Sequence, residues 1–417
     1  MEHLPERFAW LLALALLLPS SLFVVQVLLA FLSPRRTPHG GVGMSGILAT
    51  SGNPHSTSEN GGNPAAAVVV ALLVPAHNEA AGIATTLAGF RSRMRSSDRL
   101  VVVADNCSDD TADIARSAGA EVVERHDLSA RGKSHALAAG IAYLRHSPPA
   151  QVLILDADCQ IDPDFVATLS AECVRYQRPV QSLYLMQAPL GDLRPVSRFA
   201  EFAWRIKNWV RPLGARALRI PCALNGSGMI FPWALIAAAN VANGNLAEDY
   251  TLGLDLVRTR HGARFSEEAV VLSQFPSSLD SRLGQRSRWE HGHLDLIVHT
   301  APLLMMEALG SGNWALLGSA LDLMIPPLAL LALFAATVLP VNSVLFLLGG
   351  SIAPLGLTAA TIGGLGVALM LAWIGWGRDL VPFSLMLQIP SYALSKANLY
   401  SRYVTARERQ WKRTNRD

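Results

Sequence analysis

LILDADCQIDPDF, residues 153–165, passes from a wholly apolar run into a stretch crowded with carboxylates. A short continuous apolar run that ends in a polar loop suits a strand buried on both faces of a parallel sheet. Side chains at i and i+2 of a strand point the same way, so Asp156 and Asp158 are expected to leave the sheet edge together. Two like charges held that close repel unless a cation lies beside them. A hard divalent ion, Mg²⁺ or Mn²⁺, takes oxygen ligands from one or two carboxylates and completes its shell with phosphates and water. A solvated acidic loop carries the same Asp-x-Asp, so the rest of the chain has to decide between the two.

Outward from that stretch the pattern recurs. AAAVVVALLVPAHNE (65–79) is another apolar run ending in a polar loop. A helix is expected from about Ala81 to Met94. RLVVVAD follows, then a helix starting near Asp110 and Thr111, then AEVVER, a further helix, and QVLILDAD. Strands alternating with helices at this spacing predict a doubly wound α/β sheet whose ligands sit beyond the carboxyl ends of the strands. The polar motifs met so far all fall at such ends.

With 51% hydrophobic and 16% charged residues in 417, the chain holds more apolar sequence than a water-soluble fold of this size requires. Phe8–Leu32 is an apolar run long enough to cross a bilayer, and Arg35 and Arg36 place its carboxyl side in the cytoplasm. A secretory signal is the rival, but Glu2 and Glu6 offset Arg7 and no small-x-small cleavage site is clear. Residues 314–339 form a second spanning candidate, with a kink expected at Pro326 and Pro327. Residues 342–376 form a third that reads either as one tilted helix or as a helix with a re-entrant piece. Asp322, in the second, either lines an acceptor passage or sits near the cytoplasmic interface. Residues 379–401 either lie on the membrane or cross it. The basic residues Arg407, Arg409, Lys412, Arg413 and Arg416 put the tail in the cytoplasm, so an even number of crossings should follow the soluble part. The expected organisation is an anchor at 1–33, a Gly/Ser/Asn/Pro-rich linker at 34–66, an α/β domain with interfacial helices at 67–300, a transmembrane hairpin at 301–378, and a membrane-associated segment with a basic tail at 379–417. A formal net charge of +3 gives no ground for a nucleic-acid partner. The four cysteines lack CxxC spacing, which argues for reduced, cytosolic thiols rather than a disulfide framework or a zinc cluster.

In chain order the motifs are VPAHNE (74–79), ADNCSDDT (104–111), RGK (131–133), DAD (156–158), AEDY (247–250) and QRSRW (285–289). Together they resemble the membrane-bound family 2 glycosyltransferases, the group of cellulose, chitin and hyaluronan synthases and ceramide glucosyltransferases. The resemblance covers about 68–290 plus the flanking apolar segments, and it implies a GT-A type mixed sheet. By this resemblance Pro75, Glu79 and Asp105 would contact nucleobase and ribose, and Lys133 the ribose or diphosphate. Asp158 would be the metal ligand, with Asp156 contacting nucleotide or metal. Asp249 would be the general base of an inverting transfer, with Glu248 as the local alternative. Gln285, Arg288 and Trp289 match a Q-x-x-R-W pattern near acceptor and diphosphate, where an arginine fork suits phosphate and an indole suits a sugar ring. LNGSGMIF (224–231) resembles the acceptor-side loop before the base. Ala247 departs from the threonine that often precedes the Glu-Asp pair. His291 and His293 lack complementary ligand spacing and do not suggest a metal site. Residues 196–210 are amphipathic and suit either an interfacial helix or a core-facing one.

The resulting expectation is a cytoplasm-facing, multi-pass enzyme of a bacterial inner or plasma membrane. It would use Mg²⁺ or Mn²⁺ and move a sugar from a nucleotide-sugar donor, UDP-linked, to a membrane-associated glycan acceptor in polysaccharide assembly. The lipid bilayer and a biosynthetic complex complete its expected partners. A single-transfer lipid glycosyltransferase and a noncatalytic nucleotide-binding scaffold are the alternatives. A nucleotidyltransferase would want a basic, Gly-rich first loop, and VPAHNEAAG has only Gly82 and no basic residue apart from His77.

Overall fold

The computed structural model describes residues 4–34, 68–242 and 247–405. The linker residues 35–66 and the basic tail residues from Arg407 onward lie outside the described residues. Two compact units divide the chain: one holds Pro34–Leu185 and Cys222–Gln274, the other Met1–Ser33, Met186–Pro221 and Phe275–Asp417.

The first unit is built on a mixed sheet of β1 (Val70–Ala76), β2 (Arg99–Asp105), β3 (Glu121–Arg125), β4 (Gln151–Ile154), β5 (Gln160–Ile161), β6 (Val180–Gln187), β7 (Met229–Pro232) and β8 (Arg264–Gln274), in the order β3-β2-β1-β4-β7-β6-β8-β5. β1 lies between β2 and β4 and parallel to both, with Ala76 opposite Ala104 and Leu73 opposite Ile154. β7 runs antiparallel to β4 and to β6, and β5 antiparallel to β8. Val70–Val74 are fully buried, as a strand covered on both faces by βαβ crossovers must be. Helix Lys133–Leu144 makes one such crossover. Gly140 lets it approach closely, since a Cβ there would come 2.3 Å from Leu73 Cδ1. The helix expected over Ala81–Met94 is shorter, Ile83–Arg91, because the Glu79 carbonyl first closes a turn with Gly82 N and Ile83 N. β4 also stops early, at Ile154. Asp156 and Asp158 therefore do not alternate along a strand; they lie in a turn closed by Cys159 N on Asp156 O at 3.2 Å.

The second unit is helical. Leu4–Leu32, Leu328–Leu347 and Ile352–Trp376 are long and apolar enough to cross a membrane. The segment expected over 314–339 is instead two helices: Trp314–Leu323 ends before the proline pair, and Pro327 caps the start of Leu328–Leu347. A proline favours the first turn over the interior, where it would lose a bond and clash. The longer helix continues through Pro340 and turns at Gly349 (φ +94°), so the hairpin connection lies at 348–351. The next helix is continuous over Ile352–Trp376, with no re-entrant piece. After it come Phe383–Met386, Ile389–Ser395 and Ala397–Thr405, each too short at 1.5 Å per residue to span a hydrocarbon core of about 30 Å.

Asp322 is held between helices. Its Oδ1 accepts from Gln26 Nε2 at 2.6 Å and from Arg211 Nη2 at 2.9 Å, while Arg211 Nε reaches Gln26 Oε1 at 3.2 Å. That pairing offsets a charge that would otherwise be costly in an apolar unit. On the helix Pro195–Arg205 and the π-helical turn Ile206–Val210 after it, Phe199, Phe202, Ile206 and Val210 are buried, which makes the amphipathic face core-facing. His291 Nε2 lies 3.0 Å from Leu399 O and His293 Nε2 3.1 Å from Leu323 O, so each ring has a backbone carbonyl partner.

Candidate active site

The carboxyl ends of the parallel strands β1, β2 and β4 gather most of the residues singled out from the sequence. Pro75 stands next to last in β1. Glu79 follows in the loop, where its N–H donates to Thr111 Oγ1 at 2.8 Å. Asp105 closes β2 and is buried, its Oδ1 accepting from Arg125 Nη1 at 2.6 Å and from Asn106 Nδ2 at 3.1 Å. Its backbone oxygen lies 2.6 Å from His77 Nδ1.

Two asparagines organise these loops. Asn78 and Asn106 each stand two residues beyond the paired positions Ala76 and Ala104, and each adopts a left-handed backbone, φ +55° and +52°. Asparagine tolerates that conformation better than most side chains. Asn78 Oδ1 accepts from Ser108 N at 2.7 Å, and Asn106 Oδ1 from Asp127 N at 2.8 Å. Each loop is thereby stitched to the next. Arg125, His77, Asn78 and Asn106 were missed by the sequence reading; an Asn shortly after each of two adjacent apolar strands was the available signal.

The second cluster lies at the end of β4. Gly132 (φ +120°) makes the turn that starts the Lys133–Leu144 helix. Lys133 Nζ pairs with Asp156 Oδ1 and donates to Gly226 O at 2.7 Å. A Cβ on Gly226 would lie 3.3 Å from Asp249 Oδ2 and 3.5 Å from Lys133 Nζ, so ammonium and carboxylate both border that glycine. Asp249 is in the first turn of helix Glu248–Arg258, where the amide dipoles favour an anion. Burial works against the Lys133 ammonium, but the Asp156, Glu248 and Asp249 carboxylates outweigh it and hold its pKa above the usual lysine value. Burial, and then repulsion from Asp249, push the Glu248 carboxyl up to about 7 while Lys133 pulls it down.

Asp156, Asp158 and Cys159 offer ligand atoms that all lie within 4.8 Å of one another. Ser273 Oγ donates to Asp158 Oδ2 at 2.6 Å. Cys159 Sγ lies 3.2 Å from Ser227 Oγ, and burial raises its thiol well above the usual value. The two carboxylates are thus the donors suited to a hard divalent cation.

Gln285, Arg288 and Trp289 belong to the helix Leu279–Asp295 of the helical unit. Gln285 is buried there, and the Trp289 ring packs 5.0 Å from that of Trp204, which sequence reasoning had not singled out.

A mixed sheet with carboxylates gathered beyond its parallel strands is the arrangement of a GT-A type fold. The chain belongs to the glycosyltransferase like family 2, whose family model matches residues 65–292. It is 27% identical over 255 residues to the probable glycosyltransferase YdaM of Bacillus subtilis, covering 54% of this chain and 55% of that one, so it matches about half the length of this curated relative. Its fold is similar to that of the mannosyltransferase PcManGT of Pyrobaculum calidifontis, solved with GDP-Man and Mn²⁺, at a TM-score of 0.52 and 17% identity, covering 96% of this chain and 100% of that one. A partial likeness, TM-score 0.38 and 21% identity over 56% of this chain and 84% of the other, is found to glucosyl-3-phosphoglycerate synthase of Mycobacterium tuberculosis solved with Mn²⁺, UDP-glucose and phosphoglyceric acid.

Proposed function

We propose that this chain is an inverting glycosyltransferase that moves a sugar from a nucleotide-sugar, UDP-linked, to a membrane-associated glycan acceptor at the cytoplasmic face of the membrane. The observation that carries this reading is the convergence of Lys133 and Asp249 on the backbone of Gly226, with Asp156 paired to Lys133. Asp158 and Asp156 would hold Mg²⁺ or Mn²⁺, which supplies charge stabilisation for the departing diphosphate. Lys133 adds a fixed positive charge beside it. Asp249 accepts the proton of the acceptor hydroxyl as that oxygen attacks the anomeric carbon and the bond to the diphosphate breaks. Glu248, whose carboxyl is pushed up by burial and by the neighbouring Asp249, is the local alternative base. Pro75, Glu79 and Asp105 bind nucleobase and ribose, and Gln285, Arg288 and Trp289 serve acceptor and diphosphate. Residues 67–300 form the transferase part in this reading, 1–33 its anchor and 301–378 its membrane hairpin. The mannosyltransferase of similar fold was solved with GDP-Man and Mn²⁺, which supports a nucleotide-sugar donor and a divalent cation here.

A second reading has its own observation. Among the described residues only three helices are long and apolar enough to cross a membrane, few for enclosing a polymer channel, which favours one transfer to a lipid acceptor such as ceramide, diacylglycerol or a polyprenyl carrier. The test supplies Mn²⁺ and a panel of labelled UDP- and GDP-sugars to native membranes containing the full chain. Asp249→Asn should lower transfer by about 10²–10⁴-fold, and chelation should abolish it until Mn²⁺ or Mg²⁺ is restored. Undiminished transfer by Asp249→Asn removes it as base. Binding of Mn²⁺ and UDP without turnover of any donor would make the chain a scaffold, and a lipid bearing one sugar would decide for the second reading.

A further inference from the structure

The loop Asn225–Gly228 has no ionisable side chain, yet it meets Lys133, Asp156, Cys159 and Asp249. Gly226 O accepts from Lys133 Nζ, and a Cβ at Gly226 would lie 3.3 Å from Asp249 Oδ2. Ser227 Oγ accepts from Asp156 N at 3.0 Å and lies 3.2 Å from Cys159 Sγ. Gly228 N donates to Ile154 O at 2.9 Å. A displacement of this loop would therefore move the ammonium, the acidic turn and the border of the Asp249 carboxylate together.

The loop is not a conformation that chain sterics would select unaided. Gly226 (φ +87°) and Gly228 (φ +67°) are both left-handed, and glycine loses the most freedom on being fixed. Gln181 supplies the restraint. It is fully buried on β6, opposite Met229 of β7. Its Oε1 accepts from Asn225 N at 2.9 Å, and its Nε2 donates to Ser227 O at 2.9 Å and to Ser182 O at 3.0 Å. One acceptor and two donors are all engaged, a pattern only a primary carboxamide satisfies at that point. Ser182 adds a backbone bond, its N–H donating to Gly228 O at 2.9 Å.

We propose that Gln181 is a positioning residue of the transfer reaction: its carboxamide fixes the Asn225–Gly228 loop and, through Gly226, the placement of Lys133 and Asp249 relative to the acidic turn. The proposal rests on the reading of Lys133, Asp156 and Asp249 as reacting groups. Gln181 makes no hydrogen bond to Pro75, Glu79 or Asp105, so its loss should lower turnover more than it weakens donor capture, in which Lys133 has only a share. In Gln181→Met, which keeps volume and removes all three bonds, kcat should fall by about 10–100-fold with donor KM changed by less than about threefold, as expected when reacting groups shift by a fraction of an ångström to an ångström.

Gln181→Glu separates this role from simple support. When ionised, the introduced side chain would aim a carboxylate at the Ser227 and Ser182 carbonyls, whereas its protonated form regains a donor, and burial favours the protonated form. The activity of Gln181→Glu relative to parent should rise as pH falls, whatever the parent's own profile. Hydrogen exchange supplies a readout free of turnover: the Asn225 amide should exchange at least about tenfold faster in Gln181→Met. A kcat within twofold of parent in Gln181→Met, a flat ratio against pH in Gln181→Glu, or unchanged exchange at Asn225 would each overturn the proposal. Should the parent transfer sugar and Asp249→Asn not, while Gln181 variants match the parent, the inference fails and the proposed function stands. Should no donor turn over, the proposed function fails and takes the assigned role of Gln181 with it, although the exchange data still report whether its carboxamide holds the loop.

Discussion

Glu248 and Asp249 adjoin each other in the first turn of one helix, yet burial and mutual repulsion raise Glu248 to about 7. An acid with a raised folded-state pKa binds its proton more tightly folded than unfolded. Its contribution to stability is full below the ordinary value of 4.5 and is lost as pH rises from there through about 7. Glu248→Gln should flatten that decline and raise Tm above pH 7, by about 2–4 °C for each kcal/mol relieved. Thermal unfolding of the full chain across pH 4–8 measures it, and an unchanged slope would assign the decline to other groups. Asp105 shows what residue identity alone conceals at this scale. Its type and position were readable, but its pairing with Arg125 arises from β3 lying beside β2 and could not be read from either stretch.

Helix contacts obey close-approach rules that propensity scales do not contain. Gly214 lies in helix Arg211–Ala217 within the helical unit, and a Cβ there would come 2.1 Å from the backbone oxygen of Gln26. Ala is favoured over Gly inside a helix by about 1 kcal/mol. A clash with backbone cannot be relieved by a rotamer change, and overpacking costs about 1–3 kcal/mol or more. Gly214→Ala is therefore expected to destabilise by about 2 kcal/mol net and to loosen the Arg211–Gln26–Asp322 linkage; unfolding in detergent should show a lowered Tm, and a raised one would mean propensity prevails. Alternating strands and helices were legible because βαβ units need apolar strands and polar strand-end loops. The boundaries were less so: β4 stops before the acidic pair, and the proline pair separates what hydropathy joined into a single segment.

At the scale of the whole chain, the location of charge predicts orientation. Arg35 and Arg36 follow the first apolar helix, and the connection at 348–351 carries no charge. With the transferase part cytoplasmic, that connection should face the opposite side. Leu348→Cys, at an exposed position, should react with a membrane-impermeant maleimide added outside intact cells. Labelling only after the membrane is opened would reverse the proposed orientation. Short helices after Trp376 are compatible with the even count of crossings expected beyond the soluble part.

The sequence by itself determined the alternation of buried strands and helices, the family, and the acidic and basic residues at the strand ends, because apolar period and local turn chemistry are written in consecutive residues. Only tertiary structure decided which of these side chains meet. Lys133, Gly226 and Asp249 are far apart in the chain, and the left-handed loop that gathers them is fastened by a glutamine on another strand. Hydrogen-bond complementarity between distant segments depends on sheet order and register, which no single stretch encodes.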